Sequence, residues 1–216
     1  GSWQSDFLIE GFYTKLRDPF TFVSTGNSLP NGSILEEVRN GSGASVSGAN
    51  FEMKLSPFPV LSLQLGGTWQ RSQYDEIQLL FEPDTPNENE SEVTVEEFTR
   101  NPNFYGYFTT YWKATENLSF DLTGAYTGAM IVPRVVNTSG FLDLVETDPF
   151  LDVNCKVSYH IDLIDGFHLE LSGGVQNLFD SYQDDFDSGP ERDSDYVYGP
   201  ARPRTFFVGI KIGNLH

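Results

Sequence analysis

The chain has 216 residues, enough for one all-β domain or two small ones. A formal net charge of −18 argues against nucleic-acid binding, which needs basic patches, so no nucleic-acid partner is expected. The single cysteine, Cys155, excludes an internal disulfide, and no apolar run approaches the ~20 residues of a membrane-spanning helix.

Gly1-Ser2 reads as a cloning remnant, and residues 3–216 read as one segment. Convincing amphipathic helices are missing; runs rich in β-branched and aromatic residues recur instead. Eight strands are predicted in chain order: residues 6–16, 45–55, 60–70, 104–113, 118–127, 151–162, 167–178 and 204–212. The sixth, "LDVNCKVSYHID", shows the pattern best. Leu151, Val153, Cys155, Val157, Tyr159 and Ile161 take one parity, and Asp152, Asn154, Lys156, Ser158, His160 and Asp162 take the other. Successive side chains of a strand point to opposite faces, so this run has one apolar and one polar face.

The connections alternate in length. Residues 56–59, 114–117 and 163–166 are short and turn-like, whereas 17–44, 71–103, 128–150 and 179–203 are long. Nine acidic residues between 75 and 97 and seven between 180 and 195, out of 31 in the chain, fall in two of the long connections. Residues 82–92 (EPDTPNENESE) have a composition that favours disorder. Short turns at one end and long loops at the other describe an antiparallel up-and-down meander.

Two architectures accommodate that meander. In a soluble β-sandwich or small barrel binding a carbohydrate or surface partner, the apolar face points inward. In a segment of a transmembrane β-barrel it points outward, to lipid. Strand length favours the barrel: soluble strands average about 5–6 residues, while a tilted membrane-crossing strand needs ~9–11, the class of these runs. Phe12, Trp69, Trp112, Tyr126 and Tyr159 fall toward strand ends, where an interfacial aromatic girdle is expected. The burial of Val153, Val157, Leu63, Leu65, Val208 and Ile210 separates the two readings.

The C-terminal stretch from Gly173 to Leu215, with "NLFD" at Asn177–Asp180, "YGPARPRTFFVGIKI" from Tyr198, and the alternating Phe206, Val208, Ile210 and Ile212, resembles the end of a TonB-dependent outer-membrane receptor. "IEGFYTKLRDPF" from Ile9 and "GANFEMKLSPFPVLSLQLGGTWQRSQYDE" from Gly48 are similar to barrel segments of the same family. The chain ends Gly213-Asn214-Leu215-His216, where the family commonly ends on an aromatic. The resemblance implies a Gram-negative outer-membrane barrel of about 22 strands with a plug inside it. It implies uptake of a scarce ligand (an iron–siderophore, haem or cobalamin) driven through the TonB complex. This chain would supply the C-terminal strands, and the plug and the TonB-contacting part are not in it. Its partners would be outer-membrane lipid, the rest of the receptor barrel and plug, TonB through the N-terminal part, and the nutrient ligand.

Chemistry-bearing residues are few. Asp152, Lys156, His160 and His168 share the polar parity of neighbouring strands and are the lumen-facing candidates for ligand contact, with a metal or haem role for the histidines the sharper reading and ordinary polar lining the plainer one. Asp184, Asp185 and Asp187 are candidate calcium ligands, although their spacing matches no loop of fixed ligand geometry. Arg202 and Arg204 are placed to bridge to the acidic loop before them. The sequons Asn31-Gly32-Ser33 and Asn137-Thr138-Ser139 read as chance loop composition. No G-x-S-x-G, P-loop, H-E-x-x-H or CxxC pattern occurs, so no enzyme activity and no cofactor are expected.

Overall fold

The computed structural model describes residues 3–28, 34–82, 91–136, 141–164, 166–190, 192–200 and 202–213. The acidic stretch 83–90, both sequons, Gly1-Ser2 and His216 lie outside the described residues. The chain forms strands β1 (Gln4–Leu16), β2 (Phe20–Ser28), β3 (Ile34–Asn40), β4 (Ala44–Phe58), β5 (Leu61–Phe81), β6 (Val93–Glu97) and β7 (Phe104–Lys113). There follow β8 (Leu118–Thr127), β9 (Ile131–Val135), β10 (Leu142–Glu146), β11 (Phe150–Asp162), β12 (His168–Gln176) and β13 (Thr205–Gly213).

Eight of them make one antiparallel wall in the order β1-β4-β5-β7-β8-β11-β12-β13. These are the eight predicted runs, displaced by at most a few residues except at the far end of β5. Among the described residues the two edge strands, β1 and β13, pair on one side only, so the sheet is open. The outer connections carry structure of their own: the hairpins β2–β3 and β9–β10, and β6 laid against β5. At about 3.3 Å per residue the 21 residues of β5 span about 70 Å; its pairing with β4 ends at Tyr74, and beyond that it runs on against β6.

The register sorts the side chains into two faces. Directly opposed rows on one face run Phe7–Met53–Leu65–Phe108–Gly124–Val153 and Leu63–Thr110–Leu122–Cys155–Val175–Phe206. A third row runs Leu61–Trp112–Phe120–Val157–Gly173–Val208. This is the apolar parity, and it is not a core. Val208 and Ile210 are 92% and 73% exposed, and Leu63, Leu65 and Val157 keep part of their surface open. Val153 alone of the six test residues is buried, at 4% exposure. Its opposite number is Gly124, over which the Phe108 ring lies, so neighbours on the same face cover it. The soluble-sandwich alternative needs a second sheet stacked about 10 Å over this face, and among the described residues none of the strands outside the wall takes that place.

Aromatics mark both margins of the apolar face. Trp69, Phe104 and Tyr126 lie toward the long-loop end, with the Phe104 and Tyr126 rings 5.7 Å apart. Trp112 stacks on Phe120 at 5.2 Å toward the turn end, beside the row carrying Tyr159. Eight residue steps of β7 separate the two margins, about 26 Å along the strand and about 20 Å along a membrane normal at a tilt of about 40°. That is a little under the ~25 Å apolar band of an outer-membrane barrel. Phe12 corrects the expected girdle. It opposes Gly48 and Gln70 on the polar face, its ring packed over Gly48, and Tyr13 takes the outward position at 68% exposure. Two adjacent aromatics on one strand must point to opposite faces, and composition alone does not say which points out.

Candidate functional site

The polar face and the loops above it are where a ligand would meet this chain. Cross-strand neighbours on that face hydrogen-bond to one another. Thr68 Oγ1 donates to Asn50 Oδ1 at 2.9 Å, Asn50 Nδ2 to Glu10 Oε2 at 3.3 Å, and Gln64 Nε2 to the Tyr107 hydroxyl at 3.1 Å. Farther along, Lys156 Nζ donates to Glu170 Oε1 at 3.0 Å and Ser158 Oγ to the same oxygen at 3.2 Å. Asp121 stands opposite Lys156 in the register.

The four lumen-facing candidates all lie on this face but do not converge. Lys156 is committed to Glu170. His160 opposes Glu170, while His168 Nδ1 lies 2.7 Å from Asp162 Oδ1 at the turn end of the wall. Asp152 opposes Ala125 near the outer rim, and its Oδ1 is buried without a hydrogen-bond partner among the described residues. Glu170, which the sequence reading did not single out, links the group. Its signal was its place on the polar parity of "HLELSGGVQ", two residues from His168.

The described residues of the last long loop, residues 179–203, fold over the polar face at the outer rim. Its corner is the "NLFD" run. Asn177 sits at φ 50°, in the left-handed region that asparagine tolerates better than most residues, and Asp180 at φ 56°. Buried at 2% exposure, Asn177 uses its whole carboxamide: Nδ2 donates to the carbonyls of Ser181 (3.1 Å) and Arg202 (2.9 Å), and Oδ1 accepts from the Ser181 amide (2.8 Å). Asp180 Oδ1 then accepts from the Arg204 amide at 2.7 Å. One side chain thus ties both ends of the loop, which gives the motif a mechanical reason. The arginines reach this region by another route than an ion pair to the acidic loop: Arg202 Nη1 donates to Gln176 Oε1 at 3.1 Å, and Arg204 contributes its backbone amide.

Above the corner the loop and the β9–β10 hairpin share a small core of Met130, Val132 and Tyr196, with Val145 and Tyr198 packed on it. Phe150, at the head of β11 on the polar face, meets Tyr198 at 5.9 Å. The Tyr196 and Tyr198 hydroxyls both donate to the Asp185 carboxylate at 2.7 Å, and the Gln183 carboxamide holds the backbone of Tyr196 and Tyr198. Arg134 pairs with Asp187 and lies 4.4 Å above the Tyr196 ring. Asp193 Oδ2 accepts from the Val135 amide at 2.8 Å.

Electrostatics follow from these contacts. Desolvation pushes the Asp185 carboxyl up, but its hydrogen bonds, led by those from the Tyr198 and Tyr196 hydroxyls, together hold the group below its usual range. Asp193 is held low in the same way, its backbone amide donors outweighing desolvation. Desolvation and the Asp185 carboxylate together push the Tyr196 and Tyr198 phenols up. Of the calcium candidates, Asp185 and Asp187 therefore face different protein partners, and Asp184 points to solvent. No group of three or more His, Cys, Asp or Glu among the described residues is placed to hold a metal ion.

The wall defines a class: an antiparallel sheet with an exposed apolar face bounded by aromatics, a hydrogen-bonded polar face, and elaborated loops at one end only. This is the wall of a transmembrane β-barrel. No family model and no curated relative matches the chain. Solved structures do. The ferric-catecholate import receptor Fiu of E. coli K12 is 18% identical, with a TM-score of 0.60 over 94% of this chain and 25% of that one. The outer-membrane ferripyoverdine receptor of Pseudomonas aeruginosa, bound to ferripyoverdine, gives 14%, 0.63, 95% and 24%. The siderophore receptor PirA of Acinetobacter baumannii gives 12%, 0.57, 95% and 29%. The chain spans about a quarter of the length of these structures, and its fold is that of a segment of a TonB-dependent outer-membrane receptor barrel.

Proposed function

We propose that the chain forms eight C-terminal wall strands of a TonB-dependent transporter in the Gram-negative outer membrane. The observation that carries this reading is the pair of faces set by the register, apolar and exposed outside, polar and hydrogen-bonded inside. The outward rows would contact lipid, the inner face would line the lumen beside a plug, and the 179–203 loop would form part of the external vestibule. The open edges of β1 and β13 each leave a row of unpaired backbone groups, and the remaining strands of a receptor barrel are their natural partners. Coupling to TonB would run through parts of the receptor outside this chain.

An iron–siderophore complex is the ligand class this reading favours over haem or cobalamin, because the solved barrels of the same shape include a ferric-catecholate import receptor, a ferripyoverdine receptor and a siderophore receptor. Uptake by cells expressing the full-length receptor tests it. Radioactive iron delivered as a ferric catecholate should accumulate, and accumulation should stop when TonB is deleted. Accumulation of haem or cobalamin in place of iron would overturn the ligand assignment, and uptake indifferent to TonB would overturn the transporter reading.

A further inference from the structure

A cavity of about 300 Å³ opens at the outer rim between β6, the segment leading into β7, the segment that follows β8 and the β9–β10 hairpin. Its polar lining residues are Glu97, Glu146, Asn101 and Asn103, and its apolar lining includes Phe98, Met130 and Leu144. Among the described residues no lysine or arginine lines it.

We infer that this cavity is a recognition site for a protonated amine attached to an aromatic or aliphatic body, either a small molecule or one arm of a larger ligand. Two carboxylates without a lining cation repel an anion and favour an ammonium group, and the apolar wall accommodates the carbon body beside it. The chain's strong negative charge draws cations toward the rim. Arg71 Nε lies 3.6 Å from Glu97 Oε1, but that guanidinium is 60% exposed, so the pair contributes little and gives way to a better-placed donor.

The cavity is set before any ligand arrives. Asn101 is fixed by Gln70 Nε2, which donates to its Oδ1 at 3.0 Å, and by Ser72 Oγ, which accepts from its Nδ2 at 2.7 Å. Phe98 rests on Tyr74, ring centroids 4.7 Å apart. Arg100, at φ 57°, donates its amide to the Ile131 carbonyl at 2.7 Å and its guanidinium to the carbonyls of Asp195 (2.6 Å) and Val197 (3.0 Å). A left-handed arginine clamped at three points holds the pocket wall against both the hairpin and the last loop, so little ordering remains for the ligand to impose.

The inference rests on the barrel reading for placing this rim outside the cell, but not on which nutrient is transported. The test uses full-length receptor in detergent micelles, with tyramine and 4-hydroxyphenylpropionate as paired probes in saturation-transfer NMR and empty micelles as the control. Tyramine is expected to bind and the carboxylate to fail. Glu97→Gln and Glu146→Gln should each weaken tyramine by about tenfold, the loss of one charge-assisted partner. Glu146→Lys, at an exposed strand end where folding is not at stake, should abolish tyramine binding. Heat-modifiable gel mobility checks that each variant barrel is intact. Absence of tyramine binding, equal binding of both probes, or binding unchanged by Glu146→Lys overturns the inference. Iron uptake measured on the same variants reports separately on the transport reading.

Discussion

Replacing Asn177 by alanine should unfasten the last outer loop while leaving the wall intact. The side chain makes three hydrogen bonds, to the Ser181 amide, the Ser181 carbonyl and the Arg202 carbonyl, from a position 2% exposed. At about 1 kcal/mol net for each, their loss costs about 3 kcal/mol. Alanine at φ 50° adds up to about 1 kcal/mol, because its Cβ meets the strain that asparagine partly escapes. A loss of about 3–4 kcal/mol raises the open population of the loop by a factor of about 100 to 1,000. Asn177→Gly removes the bonds but relaxes the backbone, so it should be milder than alanine by about fivefold. Amide exchange across residues 179–203 and tryptic cleavage after Arg192, on full-length receptor in detergent, read both effects. Exchange in the loop unchanged by either variant would refute the account of the "NLFD" corner, and exchange raised equally throughout β11 to β13 would show that Asn177 supports the wall rather than the loop.

Arg134→Met should loosen the β9–β10 hairpin and residues 183–198 together, by about 2–3 kcal/mol, as the Asp187 pair and the contact with the Tyr196 ring are lost; exchange confined to the hairpin would contradict this. The cap also has a pH window. Asp185 and Asp193 are held below the ordinary aspartate value of 3.8, so their contribution is present above that pH and is lost as pH falls through the lower folded values. Tyr196 and Tyr198 are held above 10.0, so theirs is present below that pH and is lost as pH rises beyond it. Near-ultraviolet circular dichroism of the loop tyrosines should therefore be flat between about pH 5 and 9 and fall on both sides, and a midpoint near neutrality would contradict the assignment. In the wall, Leu122→Arg on the outward face should cost about 2–4 kcal/mol in urea unfolding from lipid vesicles, while Thr123→Arg on the inward face should cost little; equal costs would mean that the faces are misassigned.

The wall was legible because lipid on one side and polar lining on the other impose strict alternation on every crossing strand. Runs such as Phe104–Lys113 and Leu118–Thr127 were placed to the residue. Beyond the rim that constraint lapses. The distal half of β5, the β2–β3 and β9–β10 hairpins and β6 carry no sustained alternation, so the sequence pattern does not set them apart from loop. Phe12 and Tyr13 show the same limit within a strand, since adjacent aromatics make the parity ambiguous. The acidic run near Asp185 resembled a cation loop in composition, but its partners, Arg134, Tyr196 and Tyr198, are 11 to 53 residues away in the chain. Asn177 was visible only as part of a family-like motif, because its role depends on Ser181 and Arg202 returning to it.

The account's central claim is the direction in which the two faces of the wall point. Spin labels placed one at a time along residues 118–127 of the full-length receptor in a lipid bilayer, with Cys155 replaced, test it most directly. Labels at 118, 120, 122 and 126 should be accessible to oxygen and shielded from a water-soluble nickel complex, and labels at 119, 121, 123 and 125 should show the reverse, with a period of two. Loss of that period, or the opposite phase, would contradict a lipid-facing apolar wall.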